Sequence, residues 1–412
     1  MALIVQKFGG TSVGTVERIR HVASLVKKEV VAGNKVAVVV SAMSGETNRL
    51  VGMCEEISEL LTDEALKEYD TVVSSGEQVT CGLLALALQK IGVHGHSMLG
   101  WQIPIITTDS HSKSRIEEIH THKMEAELDR GYVVIVPGFQ GVTGDEDSLN
   151  RKITTLGRGG SDTSAVALAV ALGADRCDIY TDVDGVYTSD PRIVSKARKL
   201  NKVSYEEVLE MASLGAKILH TRSVEMAMKN GLQVQVRSTF DPVEGTYLVD
   251  EEEVMERRLV TGVTYTKTDA QLTLKNVKNT PGIAADVFGP LADEEINVDM
   301  IVQNVSKDAD IADITFTIPK TDVNRAKEVL NNSNLEFESI YENPNVAKIS
   351  VIGVGMRSHA GIAQRMFSTL ADKGINILVI STSEIKISVL VDEEYLELAL
   401  RSLHTAYELD AE

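Results

Sequence analysis

The chain is short of cysteine, of long apolar runs and of positive charge, and each shortage removes a class of function. Cys54, Cys81 and Cys177 are its only three cysteines in 412 residues. They lie far apart and in no metal-ligand spacing. That excludes a disulfide-stapled secreted fold and fits small buried thiols in a reducing, cytoplasmic compartment. Lysine and arginine number 41 against 60 aspartates and glutamates, a formal net charge of −19. Such a balance argues against nucleic acid or an anionic membrane as partner. No run of 18 uncharged apolar residues occurs, so no membrane span is expected. The start, Met1 to Lys7, lacks the basic opening and apolar stretch of a signal peptide. His111, His120 and His122 have no fourth ligand at suitable spacing and read as surface or core histidines. Met211, Met226 and Met228 read as packing.

What is present is more specific. The length allows two or three domains. The segment from Thr154 to Ala165 puts Arg158, Gly159 and Gly160 directly before Ser161 and Asp162, which open an apolar helical run from Ala165 to Leu172. Amides at a helix N-terminus attract anions, and glycine lets a ligand approach the backbone. Arg158 adds a planar fork suited to carboxylate or phosphate. A second glycine loop, Lys7-Phe8-Gly9-Gly10-Thr11-Ser12, follows the first apolar run. Two anion-directed loops in one acidic chain point to an enzyme joining two anions, such as ATP and a carboxylate. In that setting Lys7, Arg158, Arg192 and Lys217 are the cations to watch.

Leu3 to Phe8 reads as a buried strand. Val16, Ile19, Val22, Val26 and Val30 recur at helical spacing, and Lys35 to Ala42 is a β-branched strand. Strand, loop, helix, strand is a βαβ unit, so a parallel, covered sheet is expected. Further apolar runs at Tyr132 to Val136, Cys177 to Tyr180 and Leu232 to Val236 extend one α/β domain over about the first 250 residues. Asp241 to Arg258, with four consecutive acids from Asp250 to Glu253, breaks the pattern as a linker would.

An internal repeat follows. Thr280 to Ile301 aligns without gaps on His359 to Ile380; Gly282/Gly361, Phe288/Phe367, Asp293/Asp372 and Asn297/Asn376 are among the identical pairs. Each copy reads strand, turn, helix, strand, strand, helix, a ferredoxin-like order.

These motifs carry a resemblance. The Lys7 to Ser12 loop, the Gly157 to Asp162 loop, Thr181-Asp182-Val183-Asp184-Gly185-Val186-Tyr187, Asp190-Pro191-Arg192 and Gly215-Ala216-Lys217 occur in that order. Together they resemble the aspartate kinases of the amino-acid-kinase fold, and the repeat resembles that family's two ACT domains. The resemblance covers nearly the whole chain. It implies an αβα sandwich with a largely parallel sheet over residues 1–245 and a linker over 246–262. Two βαββαβ ACT modules would follow, 263–341 and 346–412, with a C-terminal strand available to complete the first.

The implied reaction is ATP + L-aspartate → ADP + 4-phospho-L-aspartate, with Mg²⁺ carried by the ATP and no separate metal site. It opens lysine, threonine, methionine and isoleucine biosynthesis. A carboxylate nucleophile, with an unperturbed pKa of ~4, needs no general base at neutral pH; positioning and charge stabilisation suffice. By the same resemblance Lys7, Arg158 and Asp162 are catalytic. Lys7, Phe8, Gly9, Gly10, Thr181, Asp182, Tyr187, Asp190, Arg192 and Lys217 surround ATP, with Thr11 and Ser12 assisting. Ser41, Thr47, Glu77, Arg158 and Ser161 surround aspartate, Glu77 pairing with its ammonium and Arg158 with its α-carboxylate.

The ACT resemblance implies inhibition by lysine, threonine or both. In the first copy the effector residues are Asn279, Thr280, Pro281, Gly282, Ile283, Ala284, Asn297, Val298, Asp299 and Gln303. In the second they are Ile362, Ala363, Asn376, Ile377 and Ser383. Asp299 suits an effector ammonium. A homo-oligomer held through these modules, dimer or tetramer, is expected. Asp184 and Thr221 stand where many family members have proline. Two other readings remain open here: a different acceptor for an amino-acid-kinase-fold enzyme, and an amino-acid sensor with a degenerate kinase domain.

Overall fold

The computed structural model describes residues 1–144, 151–157, 159–213, 219–253, 259–305 and 310–411. Two compact units emerge. The first holds Met1–Val186, Lys199–Ala212 and 219–253; the second holds Tyr187–Arg198, Ser213 and 259–411.

In the first unit the order begins β1 (Leu3–Phe8), α1 (Val16–Val31), β2 (Lys35–Val40), α2 (Glu46–Ile57), α3 (Asp63–Val73) and α4 (Ser75–Lys90). It continues with β3 (Gly95–Ser97), β4 (Ile105–Thr107), β5 (Ile116–Ile119), α5 (His122–Asp129), β6 (Val133–Pro137), β7 (Gln140–Val142), β8 (Ile153–Thr155) and α6 (Gly160–Ala171). It ends with β9 (Arg176–Thr181), β10 (Lys202–Ser204), α7 (Tyr205–Ser213), α8 (Thr221–Lys229), β11 (Val234–Ser238) and β12 (Thr246–Val249). Eight strands form one sheet in the order β10-β12-β11-β9-β1-β2-β6-β3, parallel except where β11 meets β12. A small second sheet runs β5-β4-β7-β8.

The βαβ reading of the first 40 residues holds. Val36, Val38 and Val40 of β2 pack with Ile19, Val22 and Val26 of α1 and with Leu84 and Leu88 of α4. The alternate residues Ala37 and Val39 are equally buried, so both faces of the sheet are covered, as a parallel sheet requires. The stretch Asp63–Lys90 is apolar and long enough to span a bilayer by length and composition. It is two helices meeting at Ser74, and α4 buries Cys81, Leu84 and Leu88 against the sheet. Cys81 and Cys177 are buried as expected, whereas Cys54 is half-buried. His111 is a core residue, and Met211 is buried while Met228 is partly exposed.

Two features differ from the sequence reading. Thr246–Val249, placed in the linker, is a strand of the large sheet, and Tyr187–Arg198 groups with the second unit.

The second unit holds β13 (Gly262–Thr266), β14 (Asp269–Lys278), α9 (Ile283–Asp293), β15 (Asp299–Val305), β16 (Ile311–Pro319), α10 (Val323–Asn332) and β17 (Ser339–Asn343). It continues with β18 (Val346–Ile352), α11 (Ile362–Asp372), β19 (Val379–Thr382), β20 (Lys386–Asp392) and α12 (Leu396–Ala406). The first repeat makes the sheet β15-β16-β14-β17 and the second makes β13-β18-β20-β19. Each is ferredoxin-like, but the fourth strand of the second sheet comes from upstream of the first repeat. The chain's last described residues follow a helix, and β17, not a C-terminal strand, completes the first module.

Candidate active site

Parallel strands deliver their C-terminal ends to one edge of the sheet, where loops gather. Here the register continues one residue past each strand. Gly9 N–H donates to Tyr180 O, Ser41 N–H to Phe8 O, and Gly138 N–H to Val40 O. The glycine loop after β1, the Ser41 loop after β2 and the Gly138 turn after β6 are thereby fixed side by side.

Lys7 points from β1 to the first turn of α6, where its Nζ lies 2.6 Å from Asp162 Oδ1. Both side chains are largely shielded from water. Gly159 caps α6 in the left-handed region, at φ 71°. A Cβ there would sit 2.1 Å from His220 Cδ2, so only glycine lets the ring lie against this turn. A Cβ at Gly138 would meet Ser161 Cβ at 2.9 Å, and one at Gly9 would stand 3.4 Å from Lys7 Nζ. Glycine at 138 thus lets Ser161 lie close against the turn after β6, and glycine at 9 keeps a side chain away from the Lys7 ammonium.

Glu77 occupies the first turn of α4 and is buried. Its Oε2 has no hydrogen-bond partner. Burial pushes its carboxyl up to about 7, only partly opposed by the Ala42 N–H and its own N–H. Ala42 follows Ser41, and its carbonyl would stand 3.1 Å from a Cβ on Gly10. Gly76, directly before Glu77, has no room for a Cβ, which would meet Ala42 Cβ at 2.9 Å. Thr47 lies in the first turn of the adjacent α2. So Lys7, Gly9, Gly10, Ser41, Glu77, Ser161 and Asp162 belong to loops and helix ends of one sheet edge.

The other expected residues divide. Phe8 is fully buried and stacked on Tyr180 at 4.6 Å between centroids; its side chain supports the loop from within the core. The Ser12 hydroxyl is buried against that of Thr239, at 2.6 Å. Thr181 donates its hydroxyl to Asp182 Oδ1. Tyr187, Asp190 and Arg192 lie in the second unit. There Arg192 clasps Asp190, holding its carboxyl below the usual range, and the Tyr265 hydroxyl donates to the same carboxylate. Arg158 and Lys217 lie outside the described residues. Asp184 pairs with Lys199 at 3.2 Å, and Thr221 opens α8 at the helical position that favours proline. Both departures thus keep ordinary local structure.

In the first repeat Gln303 Nε2 donates to Asn279 Oδ1, joining the turn after β14 to β15. Gly282 and Gly361 cap α9 and α11 in the left-handed region. Ile283 and Val298 belong to the first module's core, and Ile362, Ala363 and Ile377 to the second's. Ser383 N–H donates to Lys386 O in the turn between β19 and β20. Asp299 is engaged: its carboxylate meets Lys348 Nζ at 2.5 Å and accepts from Met300 N–H.

Sequence reading missed Asp70. It is completely buried near the end of α3 and accepts from His111, Ser112 and Thr155. The one available signal was its spacing, since Leu66, Asp70 and Val73 share a helical stripe.

Comparison with known proteins matches both parts of the chain. Residues 2–238 match the amino acid kinase family, and 275–333 and 349–407 match the ACT domain. An aspartokinase of Pseudomonas aeruginosa is 53% identical over 415 residues, covering 100% of this chain and 98% of the relative. The crystal structure of Escherichia coli aspartokinase III with aspartate and ADP, in the R-state, is 27% identical with TM-score 0.79, covering 98% of this chain and 99% of that one. The T-state of the same enzyme, with lysine and aspartate, superposes with TM-score 0.77 at 27% identity, with the same coverage.

Proposed function

The chain belongs to the aspartokinase family, and from that premise we propose that the sheet edge around Lys7 is where it phosphorylates L-aspartate with ATP. The observation that carries this reading is the shielded Lys7–Asp162 pair, set between a glycine loop and the N-terminus of α6. A β-carboxylate oxygen of aspartate attacks the γ-phosphorus. The new P–O bond forms as the bond to the bridging oxygen breaks, and ADP leaves. No proton has to move. Lys7 neutralises charge on the transferring group, and Asp162 orients Lys7. The amides at the start of α6 and the Gly9-Gly10 turn face the phosphates.

Glu77 takes the aspartate ammonium. Its buried, unpartnered Oε2 supports that role, because an uncompensated buried carboxylate is costly without a ligand. Ser41, Thr47 and Ser161 line the same substrate, and Arg158 receives its α-carboxylate. Thr181 and Asp182 lie on the nucleotide side.

Among the described residues no cluster of acids, histidines or cysteines fits a metal ion. Mg²⁺ would be carried by the ATP phosphates, where it would withdraw charge from the γ-phosphoryl group. The E. coli relative binds lysine in its T-state. Lysine or threonine acts here through the Asn279 turn and the facing β15 residues up to Gln303, in a homo-oligomer joined by the ACT modules. The three free thiols fit a cytoplasmic location.

Hydroxylamine tests the chemistry by trapping acyl phosphates. Pure protein with MgATP, L-aspartate and hydroxylamine should yield aspartyl hydroxamate, and none without ATP. No hydroxamate from folded, ATP-binding protein would overturn the assignment.

A further inference from the structure

Glu77 and the β8–α6 loop lie on different segments, and aspartate has to be gripped by both. Asp70 sits where these segments are tied. Its carboxylate is completely buried and takes donors from two other parts of the chain. His111 Nδ1 lies 2.7 Å from Oδ2, and Ser112 N–H reaches both oxygens at 3.1 Å. Thr155 gives two bonds, its N–H to Oδ2 at 3.1 Å and its hydroxyl to Oδ1 at 2.5 Å.

Thr155 is the last residue of β8, two before Gly157. The strand end is held further by Ser114 N–H on Thr155 O, by Leu156 N–H on Phe139 O and by Arg222 Nη1 on Leu156 O. A Cβ on Gly157 would stand 3.3 Å from Ser112 O, so the segment Asp70 holds also limits where the glycine turn can go. On the other side, Asp70 N-terminally adjoins the α3–α4 junction. Ser74 N–H donates to Asp70 O, and Gln140 Nε2 donates to Ser74 O. Glu77 follows in the next turn.

We infer that Asp70 is a positioning residue that sets the spacing between Glu77 and the Gly157–Asp162 loop, and so the fit of aspartate. It touches no reactant. The inference rests on Glu77 and that loop binding aspartate. A hydroxyl, two amides and an imidazole converging on one carboxylate fix it in all directions, because charge-assisted bonds in a dry interior are short and strong. Losing them lets the β8 end move relative to α4. The nucleotide loop after β1 is held by other bonds, Gly9 to Tyr180 and Ser12 to Thr239.

The test is a KM comparison on the full-length protein with Asp70→Ala, Asp70→Asn, Thr155→Val and, as control for the site, Glu77→Gln. Misplacing a substrate by about 1 Å can cost ~10²-fold in rate. Asp70→Ala should therefore raise KM for aspartate by at least about tenfold, and by several-fold more than it raises KM for ATP, which the separately held loop after β1 also grips. Asp70→Asn, which can keep the Thr155 hydroxyl and Ser112 bonds on its one oxygen, should recover part of that loss. Thr155→Val removes one bond with little change of shape and should shift KM for aspartate in the same direction, by less; it carries the test if Asp70→Ala does not fold. Folded Thr155→Val with parental KM for aspartate, or equal rises in both KM values for the Asp70 variants, would overturn the inference. An unchanged KM for aspartate in Glu77→Gln would instead overturn the site reading on which it rests.

Discussion

Replacing Glu77 by glutamine should make the free enzyme more stable at neutral pH and worse at holding aspartate. The carboxyl is pushed from an ordinary 4.5 up to about 7 by burial. In the folded chain it keeps its proton up to about pH 7, whereas the unfolded chain loses it near 4.5. The folded state therefore binds more protons across that window, and stability falls as pH rises through it. At ~1.4 kcal/mol per pH unit, the gap amounts to about 3 kcal/mol, fully expressed above pH 7 and absent below about 4.5. Glu77→Gln carries no such loss. Its unfolding midpoint in urea should exceed the parent's at pH 8 and approach it near pH 5. The substrate ammonium prefers the ionised carboxylate, so kcat/KM for aspartate should climb with pH up to about 7, by roughly tenfold per unit on the acid side. In Glu77→Gln that acid limb should vanish and KM for aspartate should rise. The reasoning fails if the acid limb is identical in both proteins, or if the stability difference between them does not change from pH 5 to pH 8.

Lys7→Ala should still fold, with a lower unfolding midpoint because the shielded Asp162 loses its partner, yet lose far more than tenfold in kcat, or over ~1.4 kcal/mol of barrier; activity within tenfold of the parent would remove its role. Asp299→Ala should weaken inhibition by lysine or threonine while sparing turnover, measured as inhibition curves, and coincident curves would exclude Asp299 from the effector site. Since Lys348 is 5% exposed and, among the described residues, keeps only the more distant Asp269 as an ion-pair partner, at 3.7 Å, the same variant should also unfold earlier. Burial pushes the Cys81 thiol up to about 12 and that of Cys177 well above the usual value, so in native protein a thiol reagent at pH 8 should label Cys54 first. Fast labelling of three thiols would contradict that burial.

Much of this was readable where the signal is local. The continuous apolar run of Val36 to Val40, the stripe from Ile19 to Val26 and the glycines at 9, 10, 159 and 160 each encode their own conformation within a few residues. The repeat was readable because its two copies keep glycine at the same helix cap, Gly282 and Gly361. What escaped was long-range. Thr246 to Val249 is rich in strand formers but only four residues long, and its place in the sheet comes from β10 and β11. Asp299 looked free in sequence, whereas its partner Lys348 is 49 residues away. Asp70 looked like one more helix acid, and its partners come from a loop 41 residues and a strand end 85 residues downstream. Side-chain pairing across such separations leaves no periodic trace.

The upstream origin of β13 has a consequence for how the chain matures. During synthesis β13 is made before the first ACT module, yet its partner β18 begins only at Val346. The strand must wait, unpaired, while a whole module is made and folds behind it. Domains ordinarily fold in order of emergence, but here the second module can close only around one already finished. A fragment beginning after Thr266 would leave β18 as a bare edge, open to pairing with another chain. Gly262 to Thr266 thus mark where a regulatory half cut from this chain would have to start if it is to stay soluble.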